Sequence, residues 1–388
     1  MNDRGLTIDP DIRTVHGTPG QCQARMGHEK KGRQMTVGQE QQNAADRFFA
    51  SRRVVDFESH DRRSTLGASE VAAVLGFRVS RFTDPHRVWM EKRGLLDRDE
   101  PTAPMIRGTA GEDMILAEFS RRNPDAFCSP CSRLTILDPV DTFASASPDM
   151  VVVWPSGTLS LVDAKWPGSR TIDEWGDPES GTPDAVPSRY YWQAVWQMKV
   201  CGVRTFVDFF LPFDIDSWEF RSYRVLWNRE AEERITTAAR DFWSRCVVGG
   251  EEPELDGSEG ADAWIAKRFP ALSSAGRDKN DKIDLRERDD LSNAAAELFR
   301  VKRDLERLDA ERSRLEQLIK ASIGDHYGAK LSGVATGATY YDSASVTTNW
   351  KALAESLGVD EETVAKYTTR KPYRVLRMSW AKDAESRA

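Results

Sequence analysis

The stretch from Ser147 to Lys165 restricts the folding of this chain more than any other. Two apolar runs, Met150-Val151-Val152-Val153-Trp154 and Thr158-Leu159-Ser160-Leu161-Val162-Asp163-Ala164, flank Pro155-Ser156-Gly157. β-Branched runs on either side of such a turn are the signature of a β-hairpin. Centring the turn on Ser156 and Gly157 puts Asp149 opposite Ala164, beside Asp163 and Lys165. Strand side chains alternate, so Asp163 and Lys165 share a face. The open end of the hairpin thus gathers two carboxylates and one ammonium, a metal-and-base cluster. An Asp-x-Lys triplet alone is common at strand ends; the hairpin and the preceding Ser147-Pro148 make this one a candidate site.

The surrounding chain is long enough, at 388 residues, for two or more domains, and 39% hydrophobic residues with twelve tryptophans suit a packed core. No apolar run approaches the roughly 20 residues that span a bilayer, and the expectation is a cytoplasmic protein with no membrane partner. Cysteines 22, 128, 131, 201 and 246 are odd in number and scattered, which argues against a disulfide framework. Cys128 and Cys131 form a CxxC without a second pair at zinc-finger spacing, and read as ordinary thiols. The net charge of −7 does not advertise a nucleic-acid binder. Clustered carboxylates can mask a basic groove, however, and arginines are dense between residues 52 and 107.

The expected organisation is a flexible segment over 1–50, a mixed α/β domain over 51–255, a linker and long helix over 256–328, and a small α+β module over 329–388. The long helix shows in Leu291, Ala294, Leu298, Val301, Leu305, Leu308, Leu315 and Ile319, spaced by threes and fours and broken by Arg312. Such a coiled-coil-like seam calls for a partner. The module carries Tyr340-Tyr341, a helix near 350–357 and a final strand at 373–378.

Three further segments carry chemistry. Glu112, in Gly108-Thr109-Ala110-Gly111-Glu112, falls on one helical stripe with Ile115, Leu116 and Phe119. It either complements a helix dipole from the first turn or, as the neighbouring acids favour, ligates a metal. A helix over about 188–201 aligns Tyr190, Gln193 and Gln197, an ordinary polar stripe or a set of hydrogen-bond donors beside the site. Arg62-Arg63 and Ser69 precede a short helix ending at Gly76, either a plain capped helix or a phosphate-binding helix start with an Arg clamp. Hard oxygen ligands without His or Cys suit Mg²⁺ or Mn²⁺. Asp149, Asp163, Glu112 and the Ala164 carbonyl would hold it, with Lys165 orienting or deprotonating the attacking water or stabilising developing charge.

Taken together, Leu66-Gly67-Ala68-Ser69-Glu70-Val71, Gly108 to Glu112, Ser147-Pro148-Asp149, Asp163-Ala164-Lys165-Trp166-Pro167 and Tyr190-Tyr191-Trp192-Gln193 resemble the YqaJ-like viral recombinase family, relatives of the phage lambda exonuclease. The resemblance, which extends to the PD-(D/E)xK nuclease superfamily with Pro148-Asp149 and Asp163-Ala164-Lys165 as its two halves, implies a restriction-endonuclease-like core with Glu112, Asp149 and Asp163 as metal ligands and Lys165 catalytic. Gln193 and Tyr190 would support the site, and Arg62 and Ser69 would hold a 5′-phosphate. It further implies 5′-to-3′ digestion of one strand of duplex DNA, 3′ overhangs for a single-strand annealing protein, and a trimeric ring. An endonuclease on the same fold, and a decayed DNA-binding or assembly protein, are the rival readings. Asp163 stands where the family more often has Glu.

Overall fold

The computed structural model describes residues 36–76, 84–96, 100–169, 171–180, 182, 185–271, 282–332, 337–344 and 347–368. In chain order the elements are α1 (Val37–Ala50), β1 (Arg53–Asp56), α2 (Val71–Val74), α3 (Pro85–Lys92), α4 (Ala103–Arg122), β2 (Phe127–Pro130), β3 (Leu134–Leu137), β4 (Ser145–Ala146), β5 (Met150–Val153) and β6 (Leu159–Ala164). They continue with α5 (Ser188–Cys201), β7 (Phe206–Asp214), β8 (Glu219–Leu226), α6 (Arg229–Phe242), α7 (Glu259–Arg268), α8 (Asp289–Ile323), β9 (Gly328–Lys330), β10 (Gly337–Thr339), α9 (Trp350–Ser356) and α10 (Glu361–Lys366). Chain contacts divide them into two units, Met1–Leu75 with Arg98–Ser244, and Gly76–Asp97 with Arg245–Ala388.

The first unit is a five-stranded sheet of order β2-β5-β6-β7-β8 with a smaller sheet of order β1-β3-β4. All neighbours in the larger sheet are antiparallel except β6 and β7. A parallel pair needs a crossover, which α5 supplies. The central strands β5, β6 and β7 are buried on both faces, so β5 reads as an uninterrupted apolar run, whereas the edge strand β8 alternates. On one face Met150, Val152, Val162, Phe210 and Phe220 pack on Ile115, Leu116 and Phe119 of α4. This is the expected mixed α/β architecture, with an antiparallel acidic hairpin and a crossover helix.

Two parts of the expected organisation need correction. Residues 37–50, placed in a flexible segment, form a helix capped by Thr36, with Gln41, Ala45 and Phe48 buried. Gln41 ties it to the sheet by donating from Nε2 to the Val153 and Asp125 carbonyls at 2.9 and 3.0 Å. Its apolar content is low and few residues touch the core, which is why the segment reads as unstructured. The 256–328 segment is likewise more than a linker and a long helix. Within the second unit, α7 packs on α3: the Asp84 carboxylate accepts from the Gly260 N–H at 2.9 Å, and the Trp89 and Trp264 rings meet edge-on at 4.9 Å.

The helix α8 is 35 residues long. Leu291, Val301, Leu305, Leu308, Leu315 and Ile319 of its seam are exposed. Beyond it, β9 and β10 pair antiparallel, and α9 occupies the expected helix position. The strand expected at 373–378 and Cys22 lie outside the described residues. No helix among the described residues is long and apolar enough to cross a membrane.

Candidate active site

The hairpin forms, but its register differs by one residue from expectation. Met150 pairs with Val162 and Val153 with Leu159, and the Asp149 N–H donates to the Val162 carbonyl at 3.2 Å, so Asp149 meets the partner strand beside Val162 and not at Ala164. The cause is the turn: Trp154 N–H donates to the Thr158 carbonyl at 2.9 Å, and Gly157 sits at φ +81, which centres the loop on Ser156. The difference matters because a one-residue slip reverses the face of every side chain. At the open end of the hairpin the Asp149 carboxylate accepts the Ala164 N–H, between Asp163 and Lys165, which pair with each other.

Asp163 is 1% exposed and fully engaged. Its Oδ1 is ion-paired with the Lys165 ammonium. Its Oδ2 accepts from Gln193 Nε2 at 2.7 Å and from Gln197 Nε2 at 2.6 Å. Asp149 Oδ2 accepts the Ala164 N–H at 2.7 Å. Burial, then the neighbouring charge of Asp163, and further the charge of Glu112, push the Asp149 carboxyl well above the usual range. Burial alone would lower the Lys165 ammonium, but Asp163 and Asp149 outweigh it and raise Lys165 above its ordinary value. Lys165 also lies 5.4 Å from the centre of the Tyr190 ring, which is stacked on Trp175.

Glu112 is the tenth residue of α4, not in its first turn, so the helix-dipole reading falls away. Its stripe partners Ile115, Leu116 and Phe119 are buried as expected. Gly111 brings this helix against the residue after Lys165: a Cβ on Gly111 would lie 2.3 Å from two ring atoms of Trp166. Arg107 adds a hydrogen bond to the Trp166 carbonyl at 3.1 Å.

Arg62 and Ser69 meet at a separate cavity of about 180 Å³, whose wall also contains Glu70, Ser147, Gln193 and Gln197. The two glutamines therefore stand between this cavity and Asp163. The short helix α2 starts at Val71 with Glu70 at its cap, so Ser69 lies next to the cap, as expected. Glu70 folds back to accept the Gly67 N–H at 2.8 Å.

Residues 59–204 match the family model described as the YqaJ-like viral recombinase domain. Over 274 residues the chain is 25% identical to the uncharacterized protein YqaJ of Bacillus subtilis, covering 69% of this chain and 78% of that one. Among solved structures it is similar to an alkaline exonuclease from Laribacter hongkongensis, with 21% identity, a TM-score of 0.39, and coverage of 57% of this chain and 99% of the other. A phage-related exonuclease from Haemophilus somnus gives 11% identity, a TM-score of 0.36, and coverage of 48% and 96%.

Two further residues support the candidate site. Cys131 donates from its backbone N–H to the Asp149 carbonyl at 2.8 Å and from Sγ to the Pro148 carbonyl at 3.2 Å, clamping the loop that carries Asp149. Gln197 was placed on the right stripe, but its bond to Asp163 depends on tertiary geometry. Among the described residues no three His, Cys, Asp or Glu side chains already surround one point. The donor set nonetheless fits a divalent ion: the oxygens are hard, and Asp149 is crowded by two other carboxylates whose repulsion a cation relieves.

Proposed function

We propose that this chain is a metal-dependent deoxyribonuclease that digests duplex DNA from a 5′ end, leaving 3′ single-stranded overhangs. The single observation that carries this reading is the meeting of Asp149, Asp163 and Lys165 at the end of one hairpin, with Glu112 close enough to perturb Asp149. A phosphodiester resists hydrolysis because an anion must be attacked by an anionic or lone-pair nucleophile. Asp149, Asp163, Glu112 and the Ala164 carbonyl would hold Mg²⁺ or Mn²⁺, which supplies charge neutralisation at the phosphate and a more acidic bound water. Lys165 brings a positive charge beside Asp163, where it orients the attacking water or stabilises the developing negative charge. Gln193 holds Asp163 in place. The stacked ring of Tyr190 bounds the lysine on one side.

End recognition is assigned to the cavity of Arg62 and Ser69. A guanidinium and a hydroxyl there offer charge-assisted hydrogen bonds to a terminal 5′-phosphate. The family resemblance adds two expectations, assembly into a trimer and transfer of the overhang to an annealing protein.

The test compares linear duplex bearing a 5′-phosphate, the same duplex bearing a 5′-hydroxyl, and closed circular DNA. Fast digestion of the first, slower digestion of the second and none of the circle is expected, with Arg62→Ala erasing the phosphate preference. Asp149→Ala should abolish cleavage in a folded protein. Undiminished digestion by folded Asp149→Ala would remove the site assignment, and efficient cutting of closed circles would establish an endonuclease instead.

A further inference from the structure

The two amides on Asp163 are an unusual expenditure of buried polar groups. Gln193 and Gln197 are four residues apart, on the same face of α5, and 8% and 1% exposed. Both aim a donor nitrogen at the same carboxylate oxygen, Oδ2, while Lys165 takes Oδ1. A carboxylate accepts and cannot donate, so chemistry fixes the orientation of each amide. For Gln197 that orientation leaves its Oε1 buried and without a hydrogen-bond partner among the described residues. A methionine of similar volume would fill this position without stranding an acceptor. The amide is therefore retained against a stability cost, and the only bond that it makes among those described is to Asp163.

We propose that Gln197 is a positioning residue for metal binding. Together with Gln193 it saturates Asp163 Oδ2 and locks the carboxylate's rotation, so that Oδ1 is the one oxygen Asp163 offers to a cation. The inference rests on the nuclease reading above and deepens it. Asp163 would then hold the metal through Oδ1, the oxygen now paired with Lys165, while the two amides keep Oδ2 clamped. Supports of this kind typically change metal affinity or activity by about 10–100-fold when removed.

The experiment measures Mn²⁺ affinity of the DNA-free protein by electron paramagnetic resonance titration, alongside thermal unfolding and steady-state cleavage of linear duplex. Gln197→Met should weaken Mn²⁺ binding and lower kcat by at least about 10-fold, with KM for duplex nearly unchanged and the unfolding temperature equal or higher. Gln197→Asn, which keeps the amide but shortens its reach, should weaken Mn²⁺ binding in the same direction and serves where the methionine variant does not fold. A purely structural glutamine predicts the reverse pattern, a lower unfolding temperature with Mn²⁺ affinity intact. Affinity within twofold of wild type in a folded variant overturns the positioning role and leaves the nuclease reading standing. If wild type neither binds Mn²⁺ nor cleaves DNA, both readings fall together.

Discussion

Replacing Gly111 by alanine sets two effects of opposite sign against each other. Glycine in a helix interior is about 1 kcal/mol less favourable than alanine, so propensity alone predicts that the variant gains stability. The structure predicts a loss. The new Cβ would sit 2.3 Å from Cε3 and Cζ3 of Trp166, whereas carbon atoms rest at roughly 3.5–4.0 Å. Either the indole or α4 must retreat by about 1.2 Å or more. Overpacking of this kind costs about 1–3 kcal/mol, leaving a net loss of up to about 2 kcal/mol. The functional effect should be larger. Trp166 directly follows Lys165, and α4 carries Glu112, so the retreat separates groups that must act on one phosphate. A displacement of about 1 Å can cost on the order of 100-fold in rate. Gly108 lies three residues earlier on the same helix, and a Cβ there meets nothing within 4 Å. Gly108→Ala should therefore gain up to about 1 kcal/mol and keep its activity. Urea unfolding and Mg²⁺-dependent digestion of linear duplex measure both variants. Full activity in Gly111→Ala would refute the claim that this close approach builds the site.

Lys199 bridges two buried acids, Asp138 at 3.0 Å and Asp141 at 2.5 Å, while Arg240 also binds Asp141. Lys199→Met leaves Asp138 without this cation, and urea unfolding should show a loss of about 3 kcal/mol with kcat unchanged in the folded fraction; a loss below about 1 kcal/mol would contradict the pairing. Arg121 and Arg122 hold the Glu118 carboxyl down at about 2, against an ordinary value of 4.5. A folded-state value below the unfolded one means that its stabilisation is complete above about pH 4.5 and is lost as the pH falls toward 2. The urea midpoint of wild type should fall across that window more steeply than that of Glu118→Gln, and parallel curves would refute it. A chain ending at residue 271 retains α7 and should fold and cleave, whereas one ending at residue 255 uncovers Trp89 and should lose stability on thermal unfolding; equal unfolding temperatures would show that α7 adds nothing.

Local chemistry made most of the site legible. The hairpin, α5 and the α4 stripe are each written in residues close together in the chain, where period and turn composition are informative. The hairpin also shows where such reading stops. Pro155-Ser156-Gly157 announces a turn, but a loop centred on Ser156 and one centred between Ser156 and Gly157 have nearly the same composition. The backbone hydrogen bond from Trp154 to Thr158 decides between them. That half-residue shift in centre determines that Met150 pairs with Val162 in the ladder.

What the sequence hid are the features that need two distant segments at once. Glu112 could be a dipole partner or a ligand until the start of α4, nine residues upstream, placed it in mid-helix. Gly111 looks like a helix weakness unless Trp166 is known to lie against it. Gln197 looks like one polar residue on a mixed face until Asp163, 34 residues earlier, accepts its amide. In each case the local cost is visible in the chain and the compensation is not: a glycine in a helix, a buried carboxylate, an unpartnered amide oxygen. These costs converge on Asp149, Asp163 and Lys165, where a fold concerned with stability alone would have placed apolar side chains.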